Sequence, residues 1–115
     1  MATETQRLNL LETRLALEAL NTDFCHFLDH GDIDALVELF TEDAVYTHGS
    51  RRSSGRAEIL KLLQRRGSAG PRTARHLYSC LRLQVESDDR ASGTSVCLTF
   101  AFDGTAPIVL AEPHL

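Results

Sequence analysis

The chain has 115 residues with 12 basic and 16 acidic side chains, which gives a formal net charge of −4. A chain of this length fits one domain with a single modest core, and its acidic balance disfavours nucleic acid as a partner because binding phosphate groups requires a cationic surface. The three cysteines form no CxxC pair, and their odd number cannot close completely into disulfides within one chain, so we expect reduced thiols in a cytoplasmic protein. The sequence shows no signal-peptide pattern and no apolar run of about 20 residues, so we expect no membrane span.

Apolar side chains recur at three- and four-residue steps in the first half of the chain, which is the spacing typical of helices. Residues 7–29 predict a long first helix that stops at Gly31, and Asp32 is placed to cap a second helix that runs to residue 40. The first half continues with a β-rich run at residues 44–49, a polar loop at 50–55 and a third helix at 56–66.

Alternation of apolar and polar side chains replaces this pattern from residue 72 onward. Residues 73–86 predict a long strand with Leu77, Leu81, Leu83 and Val85 on or near one face and His76, Tyr78 and Cys80 on the other. A hairpin connection at 87–93 then leads to strands at 94–102 and 108–112. Three helices followed by antiparallel strands predict an α+β fold in which the helices cover one face of a curved sheet.

Asp29 and several histidines are the first candidates for chemistry, and the pattern leaves their roles open. Periodicity places Asp29 away from the apolar stripe of the first helix, where a carboxylate is usually solvated. His26 and His30 have the four-residue spacing that lets two imidazoles reach one metal, but the glutamate of an HExxH motif is missing and no third ligand is indicated, so we expect no metal site. His76 is either a hydrogen-bonded core histidine or a residue that lines a pocket.

Four segments carry a resemblance to a known family. They are the D-x-G-D pattern at Asp29–Asp32, "LFTEDAVY" leading into the first strand, "GRAEI" at Gly55–Ile59 and "RH" at Arg75–His76. In this order they resemble the SnoaL-like branch of the NTF2-like superfamily, the cone-shaped α+β fold that includes scytalone dehydratase and the ketosteroid isomerases. The resemblance runs from about residue 8 to residue 112.

The resemblance implies a cofactor-free lyase or isomerase that moves a proton on an apolar cyclic or polyketide-like molecule. An acid at the position of Asp29 and a histidine at the position of His76 often form a catalytic dyad in this family, and a tyrosine like Tyr46 can hydrogen-bond to the substrate. The side chains expected to bind substrate beside them are His48, Phe24, Leu28, Tyr78 and Cys80. Alternation places His48 on the strand face of Tyr46, and Tyr78 and Cys80 on the strand face of His76. The same fold also serves non-catalytic subunits, such as those of ring-hydroxylating dioxygenases, so a binding or assembly role is the alternative.

The chain departs from the family pattern in two places. Cys80 stands four residues after His76, where an asparagine is common, and family members usually carry one or two further strands after residue 112. We therefore expect a single domain over residues 1–115 that lacks the last strand or strands of the cone. A homodimer is expected to form through the outer face of the sheet, with candidate contacts at Leu81, Leu83, Val96, Leu98 and Phe100.

Overall fold

The structure is a computed structural model that describes residues 1–104 of the chain. Its elements are α1 (Glu4–His30), α2 (Ile33–Val37), β1 (Val45–His48), β2 (Arg51–Ser54), α3 (Arg56–Ser68), β3 (Arg72–Ser87) and β4 (Arg90–Asp103). β1 pairs with β2 and β3 pairs with β4, both antiparallel, and the three helices precede the long strands. The predicted α+β class is confirmed, and the strand predicted at 108–112 lies outside the described residues.

The first helix begins at Glu4, ahead of the predicted residue 7, because Thr3 caps it. The Gln6 amide donates a hydrogen bond to the Thr3 hydroxyl at 3.1 Å, and the Thr3 amide donates one to the Gln6 side chain at 2.8 Å. This reciprocal capping box satisfies two amide groups that would otherwise lack partners. Gly31 ends the helix at a φ of 71°, in the left-handed region that glycine adopts without a steric penalty.

The second helix is shorter than its apolar spacing predicts. Asp32 caps it as expected, accepting a hydrogen bond from the Ala35 amide at 3.3 Å, but the α-helix ends at Val37 and turns carry the chain on to β1. The predicted end at residue 40 is therefore wrong. The reason is that the amides of Leu39 and Phe40 donate to the carbonyls of Leu36 and Val37, three residues earlier. An α-helix would continue with hydrogen bonds to the carbonyl four residues earlier.

The buried core lies where α2 meets α3. Leu36 and Ile59 are fully buried and pack with Leu63, and burying each of these aliphatic side chains contributes about 2 kcal/mol of stability. Partly buried side chains from α1 and from the first strand surround this cluster, so the core fixes the C-terminal half of α1 against the other helices. They include Phe24, Phe27, Leu28, Ile33, Leu39, Phe40, Ala44 and Tyr46.

Residues 50–55 do not form the predicted loop. β2 pairs with β1 from Val45 opposite Ser54 to His48 opposite Arg51, around a turn in which Gly49 has a φ of 61°. The polar composition of the segment concealed this strand because a short, exposed hairpin strand needs no apolar face. The hairpin brings His48 and Arg51 to its tip.

A salt-bridged corner attaches this hairpin to α3. The Arg56 Nε group donates to the Phe40 carbonyl at 2.9 Å, and the Arg56 guanidinium pairs with Glu42 at 3.1 Å. The Ser54 amide donates to the Glu58 carboxylate at 2.6 Å in the first turn of α3. These contacts explain the "GRAEI" segment as the joint between strand and helix, which places β1 beside the helical core.

β3 and β4 form one long hairpin, with His76 opposite Thr99 and Tyr78 opposite Cys97. The predicted connection at 87–93 is too long, since β4 already begins at Arg90 and only a tight turn separates the strands. The polar and small residues at the start of β4 are exposed, so this part of the strand carries no apolar alternation that periodicity could detect.

A β-bulge at Cys80 changes which side chains face α1. Cys80 has a φ of 55°, unusual for a residue with a side chain, and the register shifts between Ser79 and Arg82. Before the bulge His76 and Tyr78 contact α1, and after it Leu81 and Leu83 line a cleft together with α1 side chains. The predicted placement of Leu81 and Leu83 on the outer face with Leu77 is therefore wrong, because the extra residue inverts the alternation.

The outer face of the long hairpin remains apolar and exposed over the described residues. Paired strands place Leu77 opposite Leu98 and Ser79 opposite Val96. The large exposed side chains on this face are Leu77, Val96, Leu98, Phe100 and Phe102. Among residues 1–104, no helix combines the length and hydropathy that crossing a bilayer requires.

Candidate active site

The C-terminal half of α1 packs against two neighbours at once. Phe24 and Leu28 face the core that α2 and α3 form, whereas Thr22 and Asp29 contact β3. One apolar stripe therefore does not describe the buried surface of this helix. The interpretation of Asp29 as a solvated carboxylate is wrong, since its side chain is only 6% exposed.

Both oxygens of the Asp29 carboxylate contact His76. Oδ2 accepts a hydrogen bond from the His76 backbone amide at 2.8 Å, and Oδ1 contacts the ring nitrogen Nδ1. The backbone contact fixes the strand against the helix, and the ring contact sets the orientation of the imidazole. Both side chains are largely buried, and in such surroundings a hydrogen bond to a charged group is stronger than in water.

The contact with Asp29 also determines which ring nitrogen of His76 is free. An ionised carboxylate can only accept hydrogen bonds, so a neutral His76 ring carries its proton on Nδ1. Nε2 makes no hydrogen bond with any residue from 1 to 104 and retains its lone pair. In this arrangement Nε2 can accept a proton while the Asp29 charge stabilises the imidazolium that forms.

His76 lines a cavity of about 740 Å³, a size typical of small-molecule sites. Aliphatic and aromatic side chains from two helices form much of its surface, and polar groups come from all four strands. The lining residues are Phe24 and Leu28 of α1, Tyr46 and His48 of β1, Arg51 of β2, Leu62 and Arg66 of α3, Arg72 and His76 of β3, and Cys97 and Thr99 of β4.

Residues 9–112 match the model of the SnoaL-like domain, a span that includes Asp29, His76 and every residue that lines this cavity. The chain belongs to the SnoaL-like domain family. No curated protein sequence matches the chain at a significant level.

Solved structures share the fold of this SnoaL-like domain. A candidate scytalone dehydratase from Novosphingobium aromaticivorans has a TM-score of 0.75 at 27% identity over 87% of this chain and 66% of that one. ActVI-ORFA from Streptomyces coelicolor has a TM-score of 0.68 at 24% identity over 84% and 72%. Hexachlorocyclohexane dehydrochlorinase LinA-type3 from Novosphingobium barchaimii has a TM-score of 0.71 at 24% identity over 81% and 64%. The predicted NTF2-like cone fold is confirmed, and the domain spans about two thirds of the length of these structures.

Tyr46 and His48 lie on β1 and reach the cavity together with His76. Tyr46 packs edge-on against Phe40, with ring centroids 6.1 Å apart, so its ring is held by the helical core. Phe24 and Leu28, also expected to bind substrate, line the same cavity. Six of the eight side chains predicted from the sequence therefore surround or form one site.

Tyr78 and Cys80, the other two predicted site residues, do not line this cavity. The Tyr78 hydroxyl lies 2.6 Å from the Thr22 hydroxyl and donates to the Glu18 carbonyl at 3.3 Å, so it joins β3 to α1. Cys80 is exposed at the bulge. Strict alternation from His76 predicts both residues in the site. The prediction is wrong for Cys80 because the bulge reverses which side chains face α1, and it is wrong for Tyr78 because α1 covers this side chain.

The sequence reasoning missed three arginines and two side chains of β4. Arg51, Arg66 and Arg72 line the cavity although they come from three different elements. Cys97 and Thr99 reach it because they pair with β3 residues that face α1. Local clustering of basic residues was visible in the sequence, but only the packing of the hairpin, the third helix and β3 brings these members together.

Cys25 lies in the half of α1 that contacts both the helical core, through Phe24 and Leu28, and β3, through Thr22 and Asp29. Partial burial raises the pKa of its thiol, and the negative charges that Cys97 and Asp29 carry when ionised raise the pKa further. All three cysteines are free thiols, and Cys25 is the one least exposed. A thiol with a raised pKa is a poor nucleophile near neutral pH, which argues against a catalytic role for Cys25.

His26 and His30 interact within α1 rather than with the cavity at His76. The His30 ring nitrogen Nδ1 lies 2.8 Å from the His26 carbonyl, and the two rings stand 4.3 Å apart. Over residues 1–104 no group of three histidine, cysteine or acidic side chains is arranged to hold a metal ion. The four-residue spacing of His26 and His30 is therefore explained by their contact with each other at the end of α1.

Proposed function

We propose that this SnoaL-like domain is a cofactor-free lyase or isomerase in which His76 transfers a proton on a small apolar cyclic molecule. The observation that carries the proposal is the Asp29–His76 pair at the wall of a 740 Å³ cavity. A carboxylate that fixes the imidazole and leaves Nε2 free is the arrangement that general-base catalysis needs. The likeness to structures named as a dehydratase and a dehydrochlorinase supports the same class of reaction.

The proposed step begins with Nε2 of His76 taking a proton from a carbon of the substrate. The electron pair of the broken C–H bond forms a double bond, either by expelling a leaving group from the neighbouring carbon or by placing charge on a carbonyl oxygen. In the first case the product is an alkene. In the second the imidazolium returns the proton to another carbon, and the double bond has moved.

Tyr46 is placed to stabilise charge that develops on substrate oxygen. Its ring is held by Phe40, and it lines the cavity with His76, so its hydroxyl can donate to a carbonyl without a costly reorientation. His48, on the same strand, is the second polar group on this side of the cavity. We assign Tyr46 to oxyanion stabilisation and His48 to substrate orientation.

A non-catalytic binding role is less well supported by this geometry. Burying a carboxylate costs free energy unless it is paired, and a protein that only binds an apolar ligand gains nothing from such a pair in its cavity wall. The strand could be attached to the helix by the backbone contact alone. The additional contact to the imidazole, at a cavity large enough for a small molecule, favours catalysis.

Proton transfer can be tested before the natural substrate is known. A cyclic ketone such as 2-tetralone, incubated with the protein in D₂O, exchanges its α-protons for deuterium when a base removes them, and proton NMR follows the loss of signal. We expect exchange above the buffer rate with the wild type and a loss of that excess in His76→Gln. His26→Gln is the matched control, because this exposed imidazole of α1 does not line the cavity.

Equal exchange rates for wild type and His76→Gln would contradict the proposal. If several cyclic ketones and hydroxy-aromatics raise the melting temperature, yet none of the ketones exchanges faster than in buffer, the binding role replaces catalysis.

A further inference from the structure

Three arginines are grouped at the cavity that contains His76. Arg51 comes from β2, Arg66 from the last turn of α3 and Arg72 from the start of β3. Asp29, which is paired with His76, lines an adjoining cavity together with Arg66 and Arg72 but does not line this one. Three guanidinium groups therefore stand beside one carboxylate that is already paired, although the chain as a whole carries a net charge of −4. The cavity is therefore locally cationic in an acidic protein.

These guanidinium groups have no ionic partner within residues 1–104. Asp103 lies opposite Arg72 across the long hairpin, and no ion pair joins them. The Arg66 and Arg51 side chains likewise form no salt bridge or hydrogen bond to a described residue. Arg56, by contrast, is fully engaged with Glu42 and Phe40. The arginines of this region thus divide into a structural one and a group available to a ligand.

Neighbouring arginines show that the grouping is selective. Arg65, next to Arg66 on α3, borders a different surface depression with Lys61, Gln64 and Ser68. Arg52, next to Arg51 on β2, donates through Nε to the Ser54 hydroxyl at 3.3 Å. Each cavity arginine except Arg72 therefore has an adjacent arginine that points elsewhere and serves as a matched control.

We propose that the ligand of the His76 cavity is an apolar ring compound that carries a carboxylate, which Arg66 and Arg72 bind while the ring lies against Phe24, Leu28 and Leu62. This inference rests on the proposed function in that it names the substrate class of the same site. A guanidinium fork matches a carboxylate in geometry and charge, and aliphatic walls exclude water around the contact. Arg51, at the hairpin tip, adds a third positive charge at the same cavity.

The test compares two probes of nearly the same shape, 2-naphthoate and 2-naphthamide, in binding measurements by calorimetry. For the wild type we expect the anion to bind at least about tenfold more tightly than the amide, and its affinity to fall as salt is added. Arg66→Gln and Arg72→Gln should each remove most of this preference, because glutamine carries no positive charge to pair with the carboxylate. Arg65→Gln changes the net charge by the same amount and should retain the preference.

Three outcomes would overturn the inference: equal affinity of the two probes for the wild type, no binding of either probe, or an equal loss in Arg65→Gln and Arg66→Gln. Circular dichroism of each variant checks that the fold is retained. The deuterium exchange of 2-tetralone reports separately on the proposed function, because that ketone carries no charge. Exchange that depends on His76 without a preference for naphthoate refutes the carboxylate site alone, and the reverse result refutes proton transfer alone.

Discussion

Asp29 and His76 are 47 positions apart in the chain, and a single carboxylate joins them through both the backbone amide and the imidazole of the histidine. The pair connects the end of α1 to the first half of β3. It therefore serves the fold and the site at once: the backbone contact is structural, and the ring contact prepares Nε2 for proton transfer. Substitutions that keep the first contact and alter the second can separate the two roles.

Asp29→Asn is such a substitution. The amide oxygen can still accept the hydrogen bond of the His76 backbone, but the NH₂ group can donate to Nδ1 and then favours the ring tautomer with its proton on Nε2. We expect proton-transfer activity to fall about 100- to 10,000-fold while the chain remains folded, because the ring then lacks a free Nε2. Deuterium exchange and thermal unfolding of the same sample measure the two effects.

Asp32→Asn is the control for that substitution. Asp32 caps α2, and asparagine caps helices about as well as aspartate, so neither activity nor stability should change appreciably. Full activity in Asp29→Asn together with a loss in His76→Gln would mean that His76 acts without the carboxylate.

Tyr78→Phe should weaken the attachment of α1 to β3. The substitution removes a hydroxyl that contacts Thr22 and the Glu18 carbonyl, and we expect a loss of about 1 kcal/mol in the free energy of unfolding. Tyr46→Phe is the matched control, because the Tyr46 hydroxyl makes no hydrogen bond to a described residue. Urea titrations of both variants test this, and a loss in Tyr78→Phe no larger than that in Tyr46→Phe would contradict a stabilising role for the Tyr78 hydroxyl contacts.

The three cysteines should react with iodoacetamide at different rates. At about pH 8 we expect Cys80, exposed at the bulge, to be labelled before Cys25, because the raised pKa of Cys25 lowers its thiolate fraction and partial burial limits access. Raising the pH should increase the labelling of Cys25. Peptide mass spectrometry of timed samples gives the order, and early labelling of Cys25 would contradict its described environment.

We expect a homodimer that uses the apolar outer face of the long hairpin. Leu98 is 60% exposed there, and the neighbouring exposed side chains make a patch of the kind that monomeric proteins rarely leave open. Sedimentation at micromolar concentration should show a dimer for the wild type and a monomer for Leu98→Asp. Leu81→Asp is not suitable for this test because the bulge turns Leu81 toward α1. A wild-type monomer would refute the prediction.

The helices were predictable because their start and stop signals are local. Asp32 and Gly31 act through neighbours within a few residues, so the sequence alone indicated where α1 ends and α2 begins. The bulge at Cys80 has no such signal: a positive φ at a cysteine reflects the packing of the whole hairpin. Alternation therefore predicted His76 correctly as an inward residue and failed a few residues later.

In the candidate site, too, the features that depend on tertiary packing could not be predicted from local sequence signals. Periodicity assigned Asp29 to solvent because it treats a helix as having one buried face, whereas this helix has two; only the family pattern suggested Asp29 and His76 together. Arg66 and Arg72 were unpredictable as site residues, since their meeting at one cavity depends on how α3 and β3 pack.

The state of the His76 ring tests the central claim most directly. Nitrogen-15 NMR of histidine-labelled protein, recorded at a pH where the ring is neutral, distinguishes a protonated from an unprotonated ring nitrogen by chemical shift. We predict a proton on Nδ1 and a free Nε2 in the wild type, and a shift toward the opposite tautomer in Asp29→Asn. A wild-type ring with its proton on Nε2 would contradict the account, because that nitrogen could then not accept a proton from a substrate.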